Sequence, residues 1–407
     1  MAALRNAVIL CDYGDIVGGA EKVAIASALG LARRGVNVTY LAGCGPAAET
    51  FADSGVTVRT VFEQNPFDWM PKEKALANTV RSKPSEAAVR DVLGSLDPRS
   101  TVVHAHSFLA VLSSAAVGTA LDLGFPTAMT CHDYGLSCPS QVQYDFRRRA
   151  ICEVPGLGFR CLTRNCTQKT YVSKARLIAR GTYLARVARL PQRLRWIVTI
   201  SDLSERVLQP TFATGAHVTR IPNPIEVAKE PRVPAERGAM LAYVGRLVEE
   251  KDPLLFAEAA RRAKAPALFI GDGPLADRLR TEYPECEVTG WLAPAEVKER
   301  LAAARALVLP SRWYENSPLV VFEALGQGLP VVVADTCAAR EYVESGVTGS
   351  VFPSGDADAL ATTLAEYADD ATVSARSRLA YDRYWSDPPT PERHVGRLLE
   401  LYERMLA

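Results

Sequence analysis

ALVLPSRWYENSPLVVFEALGQGLPVVVAD, residues 306–335, decides the fold. It opens on an apolar run of strand length (306–311) and passes into a polar loop that carries Glu315. From Leu319 to Leu325 it reads as the start of a helix, and it closes on a second β-branched run, LPVVVAD (329–335). Strand, loop, helix and strand in close succession form a βαβ unit, whose two strands lie parallel.

Working outward, the same alternation recurs. MLAYVGR (240–246), PALFIGDGP (266–274) and CEVTGW (286–291) read as strands, with a helix at DPLLFAEAARRAK (252–264). In the first half, NAVILCDY (6–13), NVTYLAG (37–43), STVVHAHS (100–107), FPTAMTCHD (125–133) and WIVTISD (196–202) are strands. AEKVAIASALGLARRG (20–35) is a helix ending at Gly35, and another follows 196–202, capped by Ser201 or Asp202. The expected fold class is α/β, with two doubly wound parallel sheets. A 407-residue chain exceeds what one core supports, and the proline-rich stretch 221–238 separates the two series. The domains are therefore expected at 1–225, with a cysteine-containing insert near 134–170, and at 226–385. The last segment, 386–407, holds a helix at 391–406 after Pro388 and Pro389; the prolines suggest a crossover, and an ordinary last helix of the second domain is the alternative.

Composition narrows the class. The chain is 48% hydrophobic and 23% charged, with a net charge of +1, so nothing pulls it globally toward nucleic acid. No apolar run reaches the ~18 residues that span a bilayer. The N-terminus turns polar too quickly for a signal peptide, and a cytoplasmic location is expected. Cys11, Cys44, Cys131, Cys286 and Cys337 sit in apolar contexts and read as core thiols.

The chemistry-bearing residues cluster at strand ends. Glu315 and Glu323 lie eight apart, one in the loop and one just inside the helix. That helix start presents unpaired N–H groups and partial positive charge, which suits an anion; Asn316, Ser317, Pro318 and Leu319 are read as their source. Both glutamates could equally be surface residues. Arg246 ends a strand and Lys251 follows in the next loop, where an α/β sheet places ligands, and the two suit a diphosphate. A pair of solvated cations is the plain alternative. Gly271 and Gly273, like Gly18 and Gly19, permit either close ligand approach or a tight turn. No GxGxxG follows the first strand, which disfavours a nicotinamide dehydrogenase. Asp356 and Asp358 form a D-x-D that reads as a helix cap rather than a metal site.

The set GGAEK, HAHS, TCHD, IPNP, VGRLVEEKDP, IGDGP, TGW and SRWYENSPLVVFE, in that order, closely resembles the retaining GT-B glycosyltransferases of the glycogen-synthase-like superfamily, glycosyltransferase family 4, group 1. The resemblance covers nearly the whole chain. It implies two Rossmann-like domains facing a central cleft, a nucleotide-diphosphate sugar as donor substrate, and no cofactor required for catalysis. It implies that Arg246 and Lys251 hold the diphosphate, Glu315 contacts the transferred sugar and Glu323 the ribose. Gly18 and Gly19 approach the phosphates, His132 lies beside the donor sugar, and Gly290 and Trp291 lie near the nucleobase. It also implies that the C-terminal helix crosses back to the N-terminal domain. The expected activity is hexosyl transfer, UDP being the commonest nucleotide, to a saccharide, lipid-linked or small-molecule acceptor. A GT-B nucleotide-sugar epimerase and a catalytically inactive GT-B binding subunit are the rivals.

Two segments remain open. Cys138, Cys152, Cys161 and Cys166 could bind structural zinc, form a disulfide or stay free thiols; their loose spacing lacks a C-x2-C pair. From Val154 to Ser201 there are ten Lys or Arg and no Asp or Glu. Val172, Ala175, Ala179, Tyr183 and Val187 recur among the cations at helical spacing. The basic segment 164–195 reads either as a solvated face over a packed apolar stripe, or as a peripheral contact with the inner face of the membrane.

Overall fold

A computed structural model describes residues 4–407, which divide into two compact units. The first comprises the chain up to Gln143, Glu153–Pro224 and Pro389–Ala407; the second comprises Tyr144–Cys152 and Ile225–Pro388.

The first unit carries a seven-stranded sheet: β1 (Asn6–Tyr13), β2 (Asn37–Cys44), β3 (Thr57–Phe62), β4 (Thr101–Ala105), β5 (Thr127–Cys131), β6 (Trp196–Thr199) and β7 (His217–Arg220). Its order is β3-β2-β1-β4-β5-β6-β7 and every pairing is parallel. The second unit carries β8 (Leu241–Val244), β9 (Ala267–Ile270), β10 (Glu287–Gly290), β11 (Ala306–Leu309), β12 (Val331–Ala334) and β13 (Gly349–Phe352), ordered β10-β9-β8-β11-β12-β13 and again parallel. In both sheets the chain winds outward in two directions from a central pair, β1 and β4 or β8 and β11. Ligands of such sheets bind outside the carboxyl ends of that pair.

The central strands are buried on both faces, which is why they read as unbroken apolar runs. The βαβ reading of 306–335 holds: β11, the helix Leu319–Gln327 and β12 follow in order, and Gly328 closes the helix at φ +78°. Strands β3 and β7 escaped the sequence reading because they are edge strands, half exposed, with mixed polarity. Ser201 caps its helix through a reciprocal bond with Ser204, and Asp356 accepts from the amides of Asp358 and Ala359 at 3.0 and 2.9 Å.

The terminal helix Pro391–Leu406 packs in the first unit against the helix Gly19–Arg33. The approach is close: a Cβ on Gly30 would lie 2.3 Å from Val395 Cγ2. His394, at the start of this helix, lies 2.9 Å from both Ser27 Oγ and the Pro222 carbonyl. The basic segment differs from the expectation of a packed apolar stripe. In the helix Tyr171–Thr182, Val172, Ala175 and Ala179 face outward, while Lys174 and Arg180 are buried. The cause is local: the interior beneath offers polar partners, with carbonyl oxygens and Gln141 for Arg180 and two thiols for Lys174.

Candidate active site

In the second unit, two loops leave the carboxyl ends of the central strands. The loop after β8 is short and is held by a side chain of β8 and by the loop after β9. Tyr243 Oη donates to the Arg246 carbonyl at 2.7 Å, and Leu247 N donates to Asp272 O at 2.9 Å. Asp252, in the left-handed region at φ +49°, is paired with Arg312 from the loop after β11. This bracing brings Lys251 to Glu315: Nζ lies 3.3 Å from Oε1. The other carboxylate oxygen accepts from Trp313 Nε1 at 2.8 Å and Ser311 Oγ at 3.2 Å. The Glu315 backbone is also fixed, since its carbonyl accepts from Ala338 N at 2.8 Å. A carboxylate held by three donors on a fixed backbone is oriented before any ligand arrives. Arg246 is different. Its side chain is 68% exposed and reaches Glu250 only at 3.9 Å.

The helix Leu319–Gln327 starts beside this pair in sequence, and Pro318 is its cap. Proline has no N–H, which corrects the reading of 316–319 as a run of four amides. Gly271 and Gly273 face protein backbone. A Cβ on Gly271, at φ +142°, would meet the Gly245 carbonyl at 2.0 Å, and one on Gly273 would meet Leu247 O at 2.6 Å. These glycines let the loop after β9 lie against the loop carrying Arg246. Gly290, at φ +79°, ends β10 and is followed by Trp291, which is 75% exposed. Trp291 and Glu323 line one pocket of about 410 Å³, together with Glu226, Leu292, Gly326 and Gln327.

The first unit has its own cluster at the corresponding strand ends. Asp12, fully buried at the end of β1, accepts from the amides of Ala110, Val111 and Leu112 at 2.7–2.8 Å. It thereby shapes the loop after β4. His106, in that loop, lies 3.0 Å from His132, which follows β5. His104 Nδ1 lies 2.6 Å from Tyr402 Oη and Nε2 lies 2.8 Å from Thr130 Oγ1. Burial lowers all three imidazoles, His104 and His132 to about 3 and His106 well below its ordinary value. They are neutral, so His132 is suited to hydrogen bonding rather than to carrying charge. The loop after His132 is fixed by Arg180, which donates to Gln141 Oε1 at 2.6 Å, Leu109 O at 3.1 Å and Pro139 O at 3.0 Å. Gly18 caps the helix Gly19–Arg33; a Cβ on Gly19 would have no neighbour within 4 Å.

Cys138, Cys152, Cys161 and Cys166 of the insert are free thiols, one of the three readings that their spacing leaves open. Among the described residues, no three His, Cys, Asp or Glu side chains are grouped to hold a metal. Cys152 belongs to the second unit, whereas Cys138, Cys161 and Cys166 belong to the first. The Lys174 ammonium, 1% exposed, occupies the place a cation would take, 3.1 Å from Cys166 Sγ and 3.7 Å from Cys161 Sγ. Burial opposes its charge, but the hydrogen bond to Cys166 and the electrostatic pull of Cys166, Cys161 and Cys138 together outweigh it, so its pKa is raised. In the second unit, the short hairpin that ends at Cys152 places Arg149 2.7 Å from Glu249, two residues before Lys251.

The profile described as Glycosyltransferase Family 4 matches residues 17–229, more than half of the 407. The chain belongs to glycosyltransferase family 4. The rest of this family 4 chain agrees, since residues 238–370 match the profile described as Glycosyl transferases group 1. It is 31% identical over 191 residues to the putative colanic acid biosynthesis glycosyltransferase WcaL of Salmonella typhimurium, covering 41% of the chain and 46% of that protein. It is 30% identical over 153 residues to the UDP-Gal:alpha-D-GlcNAc-diphosphoundecaprenol alpha-1,3-galactosyltransferase of Escherichia coli, covering 34% and 39%. The matched region spans less than half the length of either relative. The crystal structure of Anabaena HepE in complex with UDP and glucose superimposes over 98% of the chain and 100% of that protein, with a TM-score of 0.66 at 16% identity. That likeness establishes the GT-B fold, two Rossmann-like α/β domains.

Several residues that shape these clusters escaped the sequence reading of this family 4 chain. Ser311 and Trp313 stand in the loop already singled out, but nothing in their spacing shows that they aim at Glu315. Asp12 carried a usable signal, an acid within an otherwise apolar strand. Arg180 carried none, being one cation among ten.

Proposed function

We propose that this chain is a retaining glycosyltransferase that moves a hexosyl unit from a nucleotide-diphosphate sugar, with UDP as the nucleotide, to a saccharide, lipid-linked or small-molecule acceptor. The observation that carries the reading is the Lys251–Glu315 pair at the carboxyl ends of β8 and β11, next in sequence to the start of the helix Leu319–Gln327. A cation for phosphate and a preset carboxylate for sugar hydroxyls stand side by side there. Arg246, exposed and loosely held, is free to close on a diphosphate in the bidentate manner of guanidinium. Glu323 and Trp291, on one pocket, take the ribose and the nucleobase. The UDP in the HepE structure and the UDP-sugar in the galactosyltransferase's name support the choice of nucleotide.

Cleaving the sugar–phosphate bond builds positive charge on the anomeric carbon and negative charge on the leaving diphosphate. Lys251, Arg246 and the helix amides stabilise the latter, which is the electrostatic part of catalysis. Neutral His132 orients a hydroxyl rather than removing a proton. The departing phosphate takes the acceptor's proton as the acceptor attacks from the same face, so configuration is kept. No cofactor is called on, because the side-chain cations supply the charge. Gly19 supports a ligand approach, since nothing in the chain's own packing requires glycine there. The reaction is assigned to the cytoplasm.

The test is a thermal-shift screen of nucleotide sugars, because a ligand that binds only the folded chain raises its melting temperature. UDP-sugars stabilise the protein, and NMR of the transfer product shows the donor's anomeric configuration. A screen in which no nucleotide sugar shifts the melt sinks the proposal, and an inverted product sinks its stereochemistry.

A further inference from the structure

The HAHS stretch, residues 104–107, brings two of the chain's five histidines to the end of β4, and the proposed reaction uses neither. Both are buried. His104 commits its two ring nitrogens to the hydroxyls of Tyr402 and Thr130. His106 is held differently. Its amide donates to the Leu10 carbonyl at 2.9 Å, and its ring lies between two others, 4.5 Å from His104 and 5.2 Å from His132. Its Nδ1 meets His132 Nε2 at 3.0 Å, while its own Nε2 is shut off from water and has no hydrogen-bond partner among the described residues.

Burial keeps both rings of this contact neutral. A neutral imidazole carries one N–H and one lone pair, so one ring must give the hydrogen and the other take it. That choice also settles the far nitrogen of each ring. If His106 takes, its own proton sits on Nε2, where nothing in the chain accepts it. If His106 gives, Nε2 is left as a bare lone pair. A buried donor without a partner is rarer than a buried acceptor without one, so the second arrangement wins. His106 Nδ1 then donates to His132 Nε2, and His132 carries its proton on Nδ1. We infer that His106 is a positioning residue that holds His132 in the Nδ1–H tautomer. In that tautomer the lone pair of His132 is taken up by His106, so the ring can donate a hydrogen bond to a hydroxyl oxygen but cannot draw a proton from an attacking hydroxyl. This last consequence rests on the proposed glycosyl transfer; the tautomer itself does not.

The experiment is long-range proton–nitrogen correlation NMR of the full chain carrying isotope-labelled histidine, near neutral pH and without ligand. Only five rings contribute, and the spectrum of His132→Gln assigns the one of interest. The parent shows a protonated Nδ1 and a bare Nε2 at His132. His106→Leu removes the donor, so the tautomer ratio moves toward Nε2–H by about 2- to 10-fold, the worth of one neutral hydrogen bond. The kcat of transfer falls by up to the same factor, while the Kd for UDP is unchanged. His106→Asn places an amide nitrogen where Nδ1 stood and recovers both the tautomer and kcat. A parent His132 protonated on Nε2 overturns the inference, as does a ratio that stays the same in His106→Leu. So does His106→Asn behaving like His106→Leu in both readouts, since that reduces His106 to packing. Because the tautomer is read on the free protein, a parent that binds no nucleotide sugar sinks the glycosyltransferase reading alone, and a wrong tautomer sinks this inference alone.

Discussion

Lys251 and Glu315 give the sharpest test of the donor site, because replacing each partner moves nucleotide affinity in a different direction. Both side chains are largely buried, 19% and 13% exposed, and they meet at 3.3 Å. When a diphosphate arrives, the Lys251 ammonium must divide itself between that anion and Glu315. Lys251→Ala removes one charge-assisted bond to phosphate, worth about 1.5–3 kcal/mol, so the Kd for UDP rises roughly 10- to 150-fold. Glu315→Gln has the opposite effect on UDP. The ammonium loses its competing carboxylate, and affinity for the sugar-free nucleotide rises by about tenfold or less, a fraction of the ~5 kcal/mol raw attraction at 3.3 Å and an effective dielectric of 20. Transfer nevertheless collapses in this variant, because the sugar hydroxyls lose their acceptor. Neither change unfolds the protein: in Lys251→Ala, Glu315 keeps Trp313 and Ser311 as donors. Isothermal titration with UDP at two salt concentrations, beside a transfer assay, separates the effects. An unchanged Kd in Lys251→Ala, or weaker UDP binding in Glu315→Gln, would show that the pair is structural and that the phosphates bind elsewhere.

Three further outcomes are expected. Burial lowers His394 from 6.5 to about 4, so it is neutral when folded; the stability this gives is present above pH 6.5 and is lost as the pH falls through 6.5 toward 4, about 2 kcal/mol between pH 7 and 5, and urea melts of His394→Gln should show a shallower decline over that range. Gly271→Ala forces a Cβ toward the Gly245 carbonyl and costs about 3 kcal/mol of stability along with UDP affinity, whereas Gly19→Ala leaves the melt untouched and any lost activity then reports a ligand; equal melts for the two alanine variants would refute this assignment of the glycines. Purified protein carries no stoichiometric zinc by elemental analysis, and Lys174→Met, which exchanges a buried ammonium for an apolar chain of similar length, retains its fold; one zinc per chain would displace Lys174 from the centre of the cysteine cluster.

The parts of this molecule that were legible in its sequence are those where burial imposes a pattern. β1, β11 and β12 are covered on both faces, so they appear as apolar runs, and the helices between them carry the complementary period. Edge strands such as β3 and β7 are half wet and carry no such pattern, so they went unseen. The glycines stand out in the sequence but their reason does not. Spacing reveals that backbone passes close to something, and only the fold shows that Gly271 and Gly273 pass close to the loop bearing Arg246.

The basic segment shows a different limit. Helical periodicity marks which residues share a face, and Val172, Ala175 and Ala179 do share one. Assigning that face to the interior assumes that apolar side chains are the ones worth burying. Here the interior under the helix already holds carbonyl oxygens, Gln141 and two thiols, groups that need donors. An interior of that kind takes Arg180 and Lys174, since an unpaired buried acceptor costs more than an exposed valine. The same choice leaves the loop after His132 anchored from inside by Arg180 and the apolar side chains outside. The anchoring of the loop and the exposure of the apolar side chains are thus two faces of one helix. A substitution such as Arg180→Leu, which restores ordinary amphipathic logic, should disorder residues 133–143, to be seen as faster amide exchange there. Unchanged exchange in that loop would show that Arg180 is a bystander.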